Sequence, residues 1–321
     1  MITGRKPQDV VSLITQRLLH GRSHEPGRRL GLVVEGGAMK GAYTGGSLLG
    51  LHLLGTTPIF DGVYATSAGA INAAHYLSGE GHRKAATYYK ALADGRFFNP
   101  WRLMMPVDID FVFDTVLRQE LPLEMERVAA SNTPFKVALL NCEDAVGEMK
   151  SISGVDALAW DTLKASVAMP VVYNKKITLP GGTYVDGGMV IPYPLEQALA
   201  DGMTDVVVLL CRNPSLGMRP RGLFQYLMWS LVFAKGNPKM IKVFEDWLPT
   251  IRRLDSIAMG QHKAAENVRI LSIGPTNPKI RTGTQNRTLL RDSSIEMTLE
   301  TLALFGKDDS SLLELMHAGH I

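Results

Sequence analysis

Cysteine is the scarcest chemistry in this 321-residue chain: only Cys142 and Cys211 occur, each in an apolar, strand-like run (VALLNC, VVVLLC). That excludes a disulfide-stapled scaffold, reads both thiols as small buried hydrophobes and points to a reducing compartment. Neither C-x-x-C nor H-E-x-x-H is present, so no metal-ligand spacing is encoded and no metal cofactor is expected. Charge of one sign is also lacking, with 34 basic against 31 acidic side chains and a net +3. Nucleic-acid binders are more strongly and more locally basic. No apolar run approaches the ~18 to 20 residues of a membrane span. The opening MITGRKPQD leads into no long apolar core of the secretory kind. G-x-G-x-x-G and G-x-x-x-x-G-K-[ST] are both absent, so a nucleotide-binding reading rests only on glycine content near the first strand.

What is present is the composition of an ordinary globule, 45% hydrophobic and 20% charged, long enough for one large α/β domain. Residues 1–28 read as an acid-poor amphipathic helix and linker, with Val10, Val11, Ile14 and Leu18 on one face. A helix packed on the domain is favoured there over a transit peptide or a membrane-surface helix. Strands are expected at Leu30–Glu35, Ile59–Thr66, Phe135–Asn141, Lys150–Ser153, Thr183–Val185, Val206–Cys211 and Arg269–Ile273. Helices are expected at Lys40–Leu54, Ala68–Leu77, His82–Asp94, within 101–131, and at Trp160–Ala168. Strands alternating with helices predict a mostly parallel sheet covered on both faces.

Two stretches organise the rest. Leu30 to Gly41, LGLVVEGGAMKG, is an apolar strand breaking into glycines before a helix. Backbone N–H groups at such a turn can meet negative charge. Tyr64 to Gly69, YATSAG, places Ser67 between strand and helix among small neighbours, which is the arrangement of a nucleophile elbow. Alone, a serine there is equally a helix N-cap.

An activated serine needs a base. The eight histidines are His20, His24, His52, His75, His82, His262, His317 and His320, and none stands in a strand-end Gly or Asp context. His75 lies about 12 Å along the helix from Ser67 at 1.5 Å per residue, too far for direct proton transfer. Each reads better as a satisfied or exposed histidine. Asp186, delivered by a strand into Gly187-Gly188, is the alternative, although a plain Asp-Gly turn has the same spelling.

In order, E-G-G-x-x-K-G, x-T-S-A-G, the ASVAMP block of Ala165–Pro170 and the D-G-G at Asp186 resemble the patatin-like phospholipase family, its bacterial branch most. The resemblance covers Leu30 to about Pro194. It implies an α/β fold, a three-layer α/β/α sandwich, with residues 29–212 as the catalytic core and 266–321 completing the same domain. It implies a Ser–Asp dyad in which Ser67 is the nucleophile and Asp186 the general base. The N–H groups of Gly36, Gly37 and Ala38 would form an oxyanion hole, with Lys40 at the basic position behind it. The implied activity is hydrolysis of glycerolipid acyl esters through an acyl-enzyme, without metal or organic cofactor.

Ala65 and Ala38 stand where the family usually has Gly, and Lys40 where Arg is more common, which loses the planar fork. A shifted acyl-chain or head-group preference is expected. The same alanines keep open a second reading, a catalytically weak or inactive lipid-binding or regulatory protein on this fold.

Residues 213–265 differ in character. Leu216–Val243 carries Arg219, Arg221, Lys235, Lys239 and Lys242 with no acid, around Phe224, Tyr226, Leu227, Met228, Trp229, Val232 and Phe233. That composition suits a lid, an anionic membrane interface or a flexible acyl-chain pocket, and equally a core helix ringed by solvated lysines. The expected partners are a phospholipid or other acyl-ester lipid and a membrane surface contacted reversibly, with no nucleic acid. The expected location is the cytoplasm, peripheral at the membrane.

Overall fold

The computed structural model describes residues 1–307, apart from 23–24, 81–86, 100, 103–104, 174, 219 and 221. Nine strands form one mixed sheet: β1 Ile2–Thr3, β2 Leu30–Val34, β3 Gly62–Ala65, β4 Phe135–Asn141, β5 Gly147–Ser151, β6 Ile177–Leu179, β7 Gly182–Asp186, β8 Asp205–Leu209 and β9 Arg269–Ile273. Their order is β1-β9-β8-β2-β3-β4-β7-β6, with β5 on β4. The run from β9 to β4 is parallel, while β1, β5, β6 and β7 pair antiparallel at the flanks. The described α-helices are α1 Pro7–His20, α2 Gly41–Leu53, α3 Ala68–Leu77, α4 Met125–Ala130, α5 Ala157–Ala165, α6 Leu195–Ala200, α7 Leu223–Leu227, α8 Pro238–Ala258 and α9 Arg287–Ala303.

Strand residues alternate between faces, and the alternation assigns the layers. Leu30, Leu32 and Val34 pack with Val10 and Leu13 of α1, Leu51 of α2, Ala70 of α3 and Leu290 of α9. Val33, Val206 and Val208 pack instead with Leu195 of α6 and Ile251, Leu254 and Ile257 of α8. The result is the three-layer α/β/α sandwich. Helix α9 lies directly on α2 because Gly46 has no side chain: a Cβ there would fall 2.2 Å from the Ser294 carbonyl oxygen.

One detail of register positions the site. β4 pairs with β3 over Phe135–Val137 and with β7 over Leu139–Asn141, while β5 takes Lys136–Leu140. β5 therefore occupies one edge of β4, and β3 and β7 share the other, meeting end to end. Ala65 lies opposite Val137 and Asp186 opposite Leu139, two residues apart, or roughly 7 Å along a strand.

Several local expectations are corrected. The buried face of α1 is Val10, Leu13, Ile14 and Arg17, and Leu18 points outward. Arg17 takes the core place because its guanidinium donates to Ile59 O at 2.8 Å, to Asp61 at 2.7 Å and to Arg28 O at 2.7 Å. The strand expected from Ile59 starts at Gly62, since Thr57–Ile59 is a 3-10 turn. Of the helix expected over His82–Asp94, residues 82–86 lie outside those described, and Tyr88–Leu92 is a π-helical turn. A second π-helix, Phe111–Glu120, fills much of 101–131. No described helix is long and apolar enough to cross a membrane.

Candidate active site

β3 ends at Ala65 and α3 starts at Ala68, so Thr66 and Ser67 make the whole turn. Ser67 sits at φ 56°, ψ −137°, a region costly for any residue with a Cβ. Its neighbours hold it there: Gly69 N donates to Thr66 O at 3.0 Å, Ala70 N to Ser67 O at 2.7 Å, and the Thr66 hydroxyl to Ile191 O at 3.1 Å.

β7 delivers Asp186 to the same place from the opposite direction. Its carboxylate accepts the Gly188 N–H at 2.8 Å and a hydrogen bond from the Ser67 hydroxyl. Ser67 is 8% exposed and Asp186 4%. Burial lifts the Asp186 carboxyl from 3.8 to about 6, against the opposing pull of the Ser67 and Gly188 hydrogen bonds.

The third wall comes from the end of β2. A Cβ on Gly36 would fall 2.3 Å from Thr66 O and 2.6 Å from the Ser67 Cβ, so only glycine lets this turn close onto the elbow. Ala38 adopts φ 51°, the left-handed conformation that explains the usual preference for glycine there. Met39 N donates to Thr282 O at 3.3 Å and Lys40 N to Gly37 O at 3.2 Å. The N–H groups of Gly36, Gly37 and Ala38 are left without an acceptor among the described residues.

Two cavities meet at Ser67. One, of about 260 Å³, is apolar and lined by Ile71, His75, Tyr88, Phe97, Ile109 and Val112 among others. The other, of about 210 Å³, is a more open cleft bordered by Lys40, Asp186, Met189, Arg212, Met218 and Trp247. All the residues singled out in the sequence, Ser67, Asp186, Gly36, Gly37, Ala38 and Lys40, therefore border one chamber or the other. His75 lines the apolar cavity, two turns along α3 from the elbow. His24, His82, His317 and His320 lie outside the described residues. Among the described residues no cluster of three or more His, Cys, Asp or Glu could hold a metal ion.

Sequence reasoning missed a buried ion network beneath the cleft. Arg212 Nε donates to Glu35 at 2.7 Å, and its two terminal nitrogens donate to Asp255 at 2.8 and 2.5 Å. The other Glu35 oxygen accepts Cys211 N at 2.8 Å, and the Tyr193 hydroxyl donates to Asp255 at 3.0 Å. Burial alone would lower the Arg212 pKa, but Glu35 and Asp255 raise it well above normal. The network ties the residue preceding Gly36 to the end of β8. The available signal was that Glu35 and Arg212 each directly follow an apolar run, near the strand ends where sites of parallel sheets gather.

A model of patatin-like phospholipases matches residues 32–199, just over half of the chain. YjjU of Escherichia coli (strain K12), an uncharacterized protein, is 28% identical over 267 residues, covering 74% of this chain and 73% of its own. The solved structure of VipD from Legionella pneumophila aligns at 13% identity and TM-score 0.38, over 86% of this chain and 66% of its own. Human GIVD cytosolic phospholipase A2, solved in complex with methyl gamma-linolenyl fluorophosphonate, aligns at 12% identity and TM-score 0.39, over 98% and 62%. The chain thus spans less than two thirds of either solved protein. The family match runs from β2 through the elbow to Asp186 and beyond it, and on that extent the chain belongs to the patatin-like phospholipase family.

Proposed function

We propose that the chain is a serine acyl hydrolase acting on phospholipid or a related lipid ester. Ser67 Oγ attacks the ester carbonyl carbon while its proton passes to Asp186, whose carboxyl near 6 suits a base at neutral pH. The carbonyl oxygen becomes an oxyanion facing the N–H groups of Gly36, Gly37 and Ala38; one such donor is worth roughly 3 kcal/mol of barrier. As the C–O bond breaks, Asp186 returns the proton to the leaving alcohol and the acyl group stays on Ser67. Water then attacks the acyl-enzyme, giving its proton to Asp186, and Ser67 Oγ leaves with that proton as the fatty acid departs.

The two chambers divide the substrate. The apolar cavity accepts the acyl chain, and the open cleft takes the alcohol side. Of the two cations bordering the cleft among the described residues, Arg212 is committed to Glu35 and Asp255, which leaves Lys40 to face a head-group phosphate. The observation that carries this reading is the Ser67 hydroxyl on a buried carboxylate at a strained elbow. The departures in sequence are absorbed: Ala38 takes the left-handed turn, and Ala65 packs in the core. Those two placements weigh against the silent lipid-binding alternative.

A fluorophosphonate probe tests it, with the labelled peptide mapped by mass spectrometry. Labelling should fall on Ser67 and disappear in Ser67→Ala and Asp186→Asn. A Ser67→Ala protein that still labels, or still turns over ester at the wild-type rate, would overturn the assignment.

A further inference from the structure

The segment Leu223–Phe233 carries apolar side chains on both its inner and its outer side. It starts as α7 and continues as a π-helix, Met228–Phe233. Its inner side is anchored: the Trp229 indole N–H donates to Met240 O at 2.6 Å, and the ring packs with Phe233, Leu140, Val185 and Val243. Its outer side carries Leu223, Phe224 and Leu231 at 73%, 74% and 70% exposure, with Leu216 of the preceding turn at 67%. Leu227 and Val232 are also exposed, so the spacing 223, 227, 231 makes one continuous outward stripe. Single exposed leucines are ordinary, but six apolar side chains on one short segment mark a contact surface.

Charge identifies what it contacts. No acid occurs from Asn213 to Phe244. Lys235, Lys239 and Lys242 stand exposed beside the stripe. Lys242 pairs with Asp246 at 2.8 Å, whereas Lys235 and Lys239 have no carboxylate partner among the described residues. Arg219 and Arg221 of the same basic run lie outside the described residues. A second copy of the chain fits poorly, because a two-fold contact would press these lysines against their own counterparts. An apolar stripe rimmed by unpaired lysines fits a bilayer with an anionic surface.

The stripe is also continuous with the cleft at Ser67. Met218, between Leu216 and Leu223 in the chain, lines that cleft, and Met189 of the cleft packs on the Trp229 cluster. We propose that Leu216, Leu223, Phe224, Leu227, Leu231 and Val232 insert into the interfacial layer of an anionic bilayer, with Lys235 and Lys239 against lipid phosphates, so that the cleft opens onto the membrane. The use of this contact for substrate delivery rests on the acyl-hydrolase reading; the contact itself does not.

The test uses the full chain as Ser67→Ala, so that vesicles stay intact, and measures co-sedimentation with two vesicle types. One is phosphatidylcholine alone; the other is phosphatidylcholine and phosphatidylglycerol in equal parts. Binding should be at least about tenfold stronger to the anionic vesicles and should weaken as salt is added. Lys235→Glu with Lys239→Glu should weaken anionic binding by about fivefold or more per position. Leu223→Ser, Phe224→Ser and Leu231→Ser together should abolish it. Both sets of changes, made in the wild-type background, should leave fluorophosphonate labelling of Ser67 intact in solution. That result separates failure of docking from failure of the catalytic reading. No binding, or equal binding to both vesicle types, overturns the proposal. A stable dimer that the triple serine variant turns into monomer also overturns it and assigns the stripe to a second copy.

Discussion

Asp186→Asn should make the protein more stable as it makes it inactive, and pH separates the two effects. Folding lifts the Asp186 carboxyl from 3.8 to about 6, so between these values the folded protein holds a proton that the unfolded chain has released. A folded state that binds more protons loses stability as pH rises, here through that window and no further. The span from 3.8 to about 6 amounts to about 3 kcal/mol. Above the window the wild type carries the full penalty of a buried carboxylate, which asparagine never carries. Asparagine can still accept the Gly188 N–H, so the turn is kept. Urea unfolding of both proteins, from about pH 3 to about pH 7, should show the Asn variant gaining about 3 kcal/mol relative to wild type across the range. Taking the difference removes every other titrating group. With a soluble ester, wild-type kcat/KM should rise about tenfold per pH step below the Asp186 pKa of about 6 and level off above it. Parallel stability curves, or a kinetic limb centred near the ordinary carboxylate value, would refute the claim that burial sets this base.

Other perturbations reach other parts of the site. Gly36→Ala drives a methyl into Thr66 O and the Ser67 Cβ, at 2.3 and 2.6 Å, and should lower kcat by about 10²-fold or more with little change in circular dichroism. Arg212→Met strands Glu35 and Asp255 as buried unpaired charges and should cost about 3–5 kcal/mol in urea unfolding. Removing the two acids as well, as Glu35→Gln and Asp255→Leu, should recover most of that loss. Val112→Trp fills the apolar cavity and should reduce kcat/KM for long-chain esters at least about tenfold while sparing butyrate. If long and short esters suffer alike, the cavity is not the acyl site.

What could be read from the chain alone was whatever is local. Ser67 among small residues, glycines after β2 and Asp186 before Gly187 are each a strand-end signal a few residues long, and Phe135–Asn141 is bounded as its apolar run predicts. The parts that escaped are those whose partners are remote. Arg17 reads as a polar position on α1, yet it is buried because Asp61 and two carbonyls wait for it. Glu35, Arg212 and Asp255 are 177 and 43 positions apart, and no periodicity joins them. β1 and β6 have two and three residues, too few for alternation to show. The π-helical turns at Tyr88–Leu92 and Phe111–Glu120 differ from α-helix by hydrogen-bond register, which side-chain pattern does not encode.

The end-to-end meeting of β3 and β7 on one edge of β4 makes the proposed Ser67–Asp186 dyad a measurement of strand register. β4 acts as a ruler: slipping either neighbour by one residue would change the gap between Ser67 and Asp186 by about 3.3 Å and break the proposed proton transfer. The two neighbours are not held equally. β3 is clamped between β2 and β4 in the middle of the sheet, whereas β7 touches β4 over only Leu139–Asn141 and is backed by the three-residue edge strand β6. The β6–β7 hairpin should therefore open under mild denaturant ahead of β2 and β3, with its amides exchanging before theirs. On the proposed mechanism catalysis would then fade while the fold is still intact, because the proposed nucleophile Ser67 is built into the frame and the proposed base Asp186 is hung on its edge.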